Sequence, residues 1–185
     1  MLARTLLIAC FAPILLLLSC GKPKPLEVFG TVPDFHLTTQ TGAPFDSHSL
    51  AGHVWVADFF FTTCPGPCPM MSSKMHKLEA ENSGLELVSF TVDPAHDTPP
   101  VLAAYSKHFL AETGRWWFLT GDQSTLHRLG LDTFHLNSVD GSLNHSTRFV
   151  LVDGRMRIRG YYSTFEPGTL DRLLADIRQL EREWS

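Results

Sequence analysis

The residues of this chain best suited to chemistry are two cysteines in a proline-bracketed loop, Thr62-Thr63-Cys64-Pro65-Gly66-Pro67-Cys68-Pro69. A residue that precedes proline is pushed out of the helical region, which disfavours Cys64, Gly66 and Cys68 as helix interior and predicts that regular helix begins at Pro69. Both thiols then lie in a stiff loop that enters a helix N-terminus. The partial positive charge and unpaired backbone N–H groups there are expected to favour thiolate over thiol. Gly66 gives the loop freedom to turn back and bring the sulfurs together. Such a pair can cycle between dithiol and disulfide, or it can grip a soft metal, with Cu(I) the first candidate because thiolates select for it. Two sulfurs leave a mononuclear site short of a ligand. Of the nine histidines, eight read as surface or hydrogen-bonded residues. His145 differs, because Leu143-Asn144-His145-Ser146-Thr147 stands at the mouth of a late hairpin that is expected to pair near the cysteine-bearing strand.

The elements that must position these groups follow from the apolar pattern. Val54 to Phe61 is a nearly continuous apolar run of strand length, as expected of a central strand covered on both faces. Upstream, Val32 to Leu37 and Pro44 to Leu50 flank the turn signal Gln40-Thr41-Gly42 and predict an N-terminal hairpin. Downstream, a helix from Pro69 to Glu81 leads to a strand at Leu85 to Val92. A second helix from Thr98 to Ala111 follows, capped by Asp97 or Thr98, with Pro99 and Pro100 in its first turn. A short strand around Trp117 to Leu119 and a helix from Gln123 to Leu129 come next. Then comes a hairpin of Ser146–Val152 and Met156–Tyr162, closed tightly at Asp153-Gly154. A final helix runs from Pro167 to Glu183. This is the element order of an α/β, thioredoxin-like domain: a central mixed sheet flanked by helices, with an N-terminal β-hairpin. The cysteines follow the strongest central strand, at the strand edge where such folds place their chemistry.

With 185 residues the chain has room for one domain and an appendage. Its 15 basic and 19 acidic residues leave a net charge of −4, which argues against a nucleic-acid binder, and four cysteines are too few for a disulfide scaffold. The remaining two are Cys10 and Cys20. Arg4 followed by the uncharged run Leu6 to Leu18 reads as an export signal, too short to span a bilayer. Its end, Leu17-Leu18-Ser19-Cys20-Gly21, resembles the lipobox of bacterial lipoproteins, where cleavage before the cysteine leaves its thiol to carry lipid. Residues 1–19 are thus expected to be a signal peptide carrying Cys10 away. Cys20 is the expected lipidation site, residues 20–29 a polar, Pro-rich tether, and residues 30–185 the folded domain. The mature protein is expected outside the cytoplasm, on the periplasmic side, held to a membrane by lipid.

Several segments together resemble the Sco/SenC family of copper-binding, thioredoxin-fold assembly proteins for cytochrome c oxidase. They are Phe59 to Pro69, then Thr91-Val92-Asp93-Pro94-Ala95-His96-Asp97-Thr98-Pro99, then Trp117 to Gly121, and finally His145-Ser146, in the family's order over roughly residues 30 to 180. The resemblance implies copper ligation by Cys64, Cys68 and His145. It also implies a metallochaperone role in maturing the oxidase's dinuclear copper centre. The copper-receiving oxidase subunit is then the partner, with other copper chaperones or thiol reductants as further ones. Many members carry an acidic residue before the ligand histidine, where this chain has Asn144, which can orient the loop but lends no charge. Asp93 is the nearest acid for support, although an Asx turn before Pro94 explains it equally well. Asp97 reads as a helix cap, and Met70, Met71 and Met75 as core filler. The alternative function is a thiol-disulfide reductase, in which Cys64 attacks and Cys68 resolves. A weaker reading, a peroxidase of peroxiredoxin type, needs an arginine beside Cys64.

Overall fold

The strand that delivers the cysteines, Trp55–Phe60, is buried at every residue, as its unbroken apolar run requires. It is the centre of the computed structural model, which describes residues 24–184; the expected signal peptide, Cys10 and Cys20 lie outside the described residues. In chain order the strands are β1 (Gly30–Thr31), β2 (His36–Thr39), β3 (Pro44–Asp46), β4 (Trp55–Phe60), β5 (Glu86–Thr91), β6 (Trp116–Thr120), β7 (Arg148–Val152) and β8 (Arg157–Ser163). The α-helices are α1 (Pro67–Glu81), α2 (Pro99–His108), α3 (Gln123–His127) and α4 (Thr169–Trp184). The strands form one mixed sheet in the order β1-β8-β7-β4-β5-β6-β2-β3. β4, β5 and β6 run parallel, joined through α1 and α2, whereas β7 lies antiparallel against the other edge of β4. This is the expected thioredoxin-like α/β architecture.

Successive residues of a strand face opposite sides of the sheet, and β4 uses this to found two aromatic layers. Phe59 stacks on Phe90 at 5.2 Å and meets Phe134 edge-on at 5.8 Å, while Phe60 packs against Tyr105 at 5.1 Å and Phe118 at 5.5 Å. The Tyr105 hydroxyl lies 2.9 Å from Ser72 Oγ, tying α2 to α1 on the Phe60 side.

The structure differs from the sequence reading mostly at element ends. The N-terminal hairpin is shorter than expected: its first strand starts at His36, and Ser47–Leu50 winds into a 3-10 turn because the Asp46 carboxylate accepts from the His48 amide. This hairpin adds to the sheet edge at β6, while Gly30–Thr31, not foreseen as a strand, pairs with β8 at the other edge. The late hairpin turns through four residues, 153–156, rather than through Asp153-Gly154 alone. Asp153 explains this: its buried carboxylate binds the amides of Arg155 and Arg157 and the guanidinium groups of Arg157 and Arg159. The helix expected to end at Leu129 stops at His127 and continues as a π-helical turn over Arg128–Thr133. Gly130 within it lies so close to the Asn137 carbonyl that a Cβ there would sit 2.6 Å from it.

Candidate metal centre

Beyond Phe60 the chain makes a tight turn in which the Cys64 amide donates to the Phe61 carbonyl at 3.2 Å. Helix α1 then begins at Pro67, two residues earlier than expected, with Gly66 as its N-cap. The first turn of a helix has no intrahelical partner for its amides, so Pro67 and Pro69 sacrifice no hydrogen bond there, and the restriction on residues before proline is overcome. Cys68 is therefore held on a rigid helix, whereas Cys64 sits on the loop. Their exposures differ accordingly, 8% for Cys64 and 0% for Cys68.

His145 comes from the segment just before β7, which pairs directly with the cysteine-bearing β4. Its Nδ1 lies 3.0 Å from the Ser146 carbonyl, which can only accept, so Nδ1 carries the proton and Nε2 keeps its lone pair. Nε2 points between the sulfurs, 3.2 Å from Cys68 Sγ and 3.7 Å from Cys64 Sγ. Phe61 flanks the imidazole nearly perpendicularly, with ring centroids 5.6 Å apart. Burial lowers the His145 pKa below its ordinary value and favours the neutral, ligating form. The three ligand atoms lie within 4.8 Å of one another, an arrangement no other set of histidine, cysteine or acidic side chains reaches among the described residues.

The chemistry of this donor set fits a soft cation: two sulfurs, one neutral nitrogen with its tautomer already set, and an aromatic flank at Phe61. One sequence expectation is corrected. The helix N-terminus was expected to lower the thiol pKa, but burial dominates at Cys68 and pushes its thiol well above the ordinary value, only partly offset by a backbone hydrogen bond at Phe61. Without a metal, Cys68 is therefore a protonated thiol at neutral pH, and binding a cation there must displace that proton.

Asp93 Oδ1 accepts from the His96 amide inside its own turn, and Asn144 is exposed beside His145. Met71 and Met75 are fully buried core residues, and Met70 is partly buried against the core. Asp97 is not the cap of α2; Thr98 holds that position, and the buried Asp97 carboxylate binds Thr62 and Thr91 instead. Phe61, Cys68 and His145 are hydrogen-bonding neighbours of Cys64, and none of them is an arginine. Sequence reasoning missed Asp58, which is 1% exposed in the middle of β4 with one carboxylate oxygen unpartnered. Burial raises its pKa to about 7, against a weaker opposing hydrogen bond from Ser89 on β5, and its charge acts on both Cys68 and Tyr105. A lone acid in a six-residue apolar strand was the available signal.

A thioredoxin-like sheet thus carries, at the end of its central strand, a convergent Cys-Cys-His set of the kind that could hold a metal ion. The chain belongs to the SCO1/SenC family, whose profile matches residues 24–182. It is 32% identical over 176 residues to the SCO1 protein homolog of Bacillus subtilis (strain 168), covering 89% of this chain and 90% of that protein. The structure resembles that of a SCO1/SenC family lipoprotein from Bacillus anthracis str. Ames, with a TM-score of 0.78 and 30% identity over 85% of this chain and 99% of the other. ScoI of Bradyrhizobium japonicum, solved with copper bound, shares the fold, with a TM-score of 0.65 and 22% identity over 82% and 99%.

Proposed function

We propose that this protein is a membrane-tethered metallochaperone that holds copper through Cys64, Cys68 and His145 and delivers it to the copper-receiving subunit of cytochrome c oxidase. The observation that carries this reading is the His145 tautomer: an imidazole whose Nδ1 is tied to the backbone and whose free Nε2 lies 3.2 and 3.7 Å from two thiols. A dithiol reductase needs no such third ligand. Copper supplies a soft, exchangeable centre when bound. The residues supply the rest: Cys68 fixes one sulfur on α1, Cys64 offers the more accessible one on a loop, and His145 adds a neutral donor that leaves without carrying charge. A site limited to three protein ligands leaves room for an incoming donor to attack before an old one departs, which suits transfer.

The lipoprotein description of the Bacillus anthracis relative supports the anchored, extracytoplasmic placement expected from Cys20. The second reading, a thiol-disulfide reductase on an extracytoplasmic partner, draws on the contrast between an accessible Cys64 and a buried Cys68, the asymmetry of an attacking and a resolving thiol. Titration of the reduced protein with Cu(I) against a competing chelator separates the two. One tightly held ion per chain, weakened in Cys64→Ser, Cys68→Ser and His145→Ala alike, is the expected result. Reduction of partner disulfides with no stoichiometric copper uptake would favour the reductase.

A further inference from the structure

The three proposed ligands are not held equally. Cys68 rides on the fifteen-residue helix α1, and His145 is pinned at Nδ1 next to β7. Cys64 sits on a turn closed by one backbone hydrogen bond, from its own amide to the Phe61 carbonyl. The residue inside that turn, Thr62, makes an unusual set of contacts with Asp97, 35 positions later. The Thr62 amide donates to Asp97 Oδ2 at 3.1 Å, and the Thr62 hydroxyl donates to Oδ1 at 2.5 Å. Asp97 is itself fixed: Thr91 Oγ1 donates to Oδ2 at 2.5 Å, His96 Nδ1 lies 3.0 Å from Oδ1, and the Asp97 amide donates to the Asp93 carbonyl at 2.8 Å.

A carboxylate with no exposure is retained only when donors satisfy it, and here four donor groups converge on two oxygens. The sheet does not need this tie. β4 and β5 already pair in register from Trp55–Glu86 to Phe60–Thr91, and the Val92 amide extends the pairing to the Phe60 carbonyl at 2.8 Å. What Asp97 adds lies beyond the end of β4, on the stretch of chain that has left the sheet and carries Cys64.

We propose that Asp97 is a positioning residue for the metal loop, gripping Thr62 from the connection between β5 and α2 so that the Cys64 sulfur stays within reach of His145 and Cys68. This rests on the copper reading for its consequence in metal affinity, but not for its consequence in the metal-free loop. In Thr62→Val the hydroxyl is lost with little change of shape, and Thr62→Ser restores it. Asp97→Asn keeps an acceptor but loses the charge shared among the donors.

The test uses the full-length reduced protein in two arms. In the metal-free arm, hydrogen exchange at the Cys64 amide is expected to quicken about tenfold in Thr62→Val and Asp97→Asn and to return to the parent rate in Thr62→Ser. In the loaded arm, Cu(I) affinity is expected to fall about tenfold to a hundredfold in the first two variants, the range for residues that orient ligands, and to recover in the serine variant. Loss of thermal stability in Thr62→Val with unchanged exchange and unchanged affinity would overturn the proposal, since that is what a purely structural tie gives. If the parent binds no Cu(I), the copper reading fails while the exchange arm still decides the role of Asp97. If Asp97→Asn does not fold, the Thr62 pair decides it.

Discussion

Replacing Asp58 by asparagine tests the electrostatics of the core beneath the cysteines. The Asp58 carboxyl is 1% exposed on β4, with Oδ1 unpartnered. Burial lifts its pKa from the ordinary 3.8 to about 7. Well below pH 3.8 the carboxyl is protonated whether the chain is folded or not, and it imposes no penalty. As pH rises, the unfolded chain ionises first while the folded protein keeps the proton, so stability falls until about pH 7 and is then level. Roughly three pKa units correspond to about 4 kcal/mol at about 1.36 kcal/mol per unit. An amide at this position cannot ionise, so Asp58→Asn is expected to be more stable than the parent by up to about 4 kcal/mol at pH 8 and nearly equal to it at pH 4. For a chain of this size that corresponds to roughly 8–16 °C in Tm. Urea unfolding of the metal-free, reduced protein at pH 4.5, 6 and 8 measures it. A stability difference that stays constant across these pH values, or a parent that is the more stable one at pH 8, would refute the assignment of a buried, proton-holding carboxyl.

Because loading the site displaces the proton of the buried Cys68 thiol, Cu(I) affinity is expected to rise with pH by about tenfold per unit for each thiol proton released, measured by chelator competition between pH 6 and 8. Arg159→Ala removes one of two guanidinium partners of the buried Asp153 and frees the Leu26 and Glu27 carbonyls. A loss of about 3 kcal/mol or more in urea unfolding is expected, together with faster proteolysis ahead of residue 30. The Cys20→Ala chain is expected to lose incorporation of radioactive palmitate and its membrane fraction, and labelling that persists would remove the lipid anchor.

The parts of this protein that were legible in the sequence are those written in local pattern. The apolar run at residues 54–61 has the length and composition of a central strand, and the prolines around Cys64 and Cys68 marked a helix entrance. The alternation of later elements then placed the chemistry at the sheet edge. Proline statistics misplaced the helix start because they describe helix interiors, and the first turn is exempt. The thiol expectation at Cys68 failed for a related reason: the dipole at a helix N-terminus is a local effect, whereas burial depends on what the rest of the fold lays over the sulfur. Asp97 read as a cap because a cap needs only neighbours in sequence. Its actual partner, Thr62, is 35 residues away and visible only after β4 and β5 are paired. His145 was reached by its position before the hairpin, but its tautomer depended on a backbone carbonyl that no pattern displays.

The central claim is that two sulfurs and one imidazole hold copper in this chain. X-ray absorption at the copper edge of the Cu(I)-loaded protein tests it directly. The account predicts a three-coordinate ion with two sulfur scatterers and one nitrogen scatterer bearing the outer-shell pattern of imidazole, the nitrogen vanishing in His145→Ala. A loaded protein with sulfur scatterers alone, or a spectrum unchanged by His145→Ala, would contradict it.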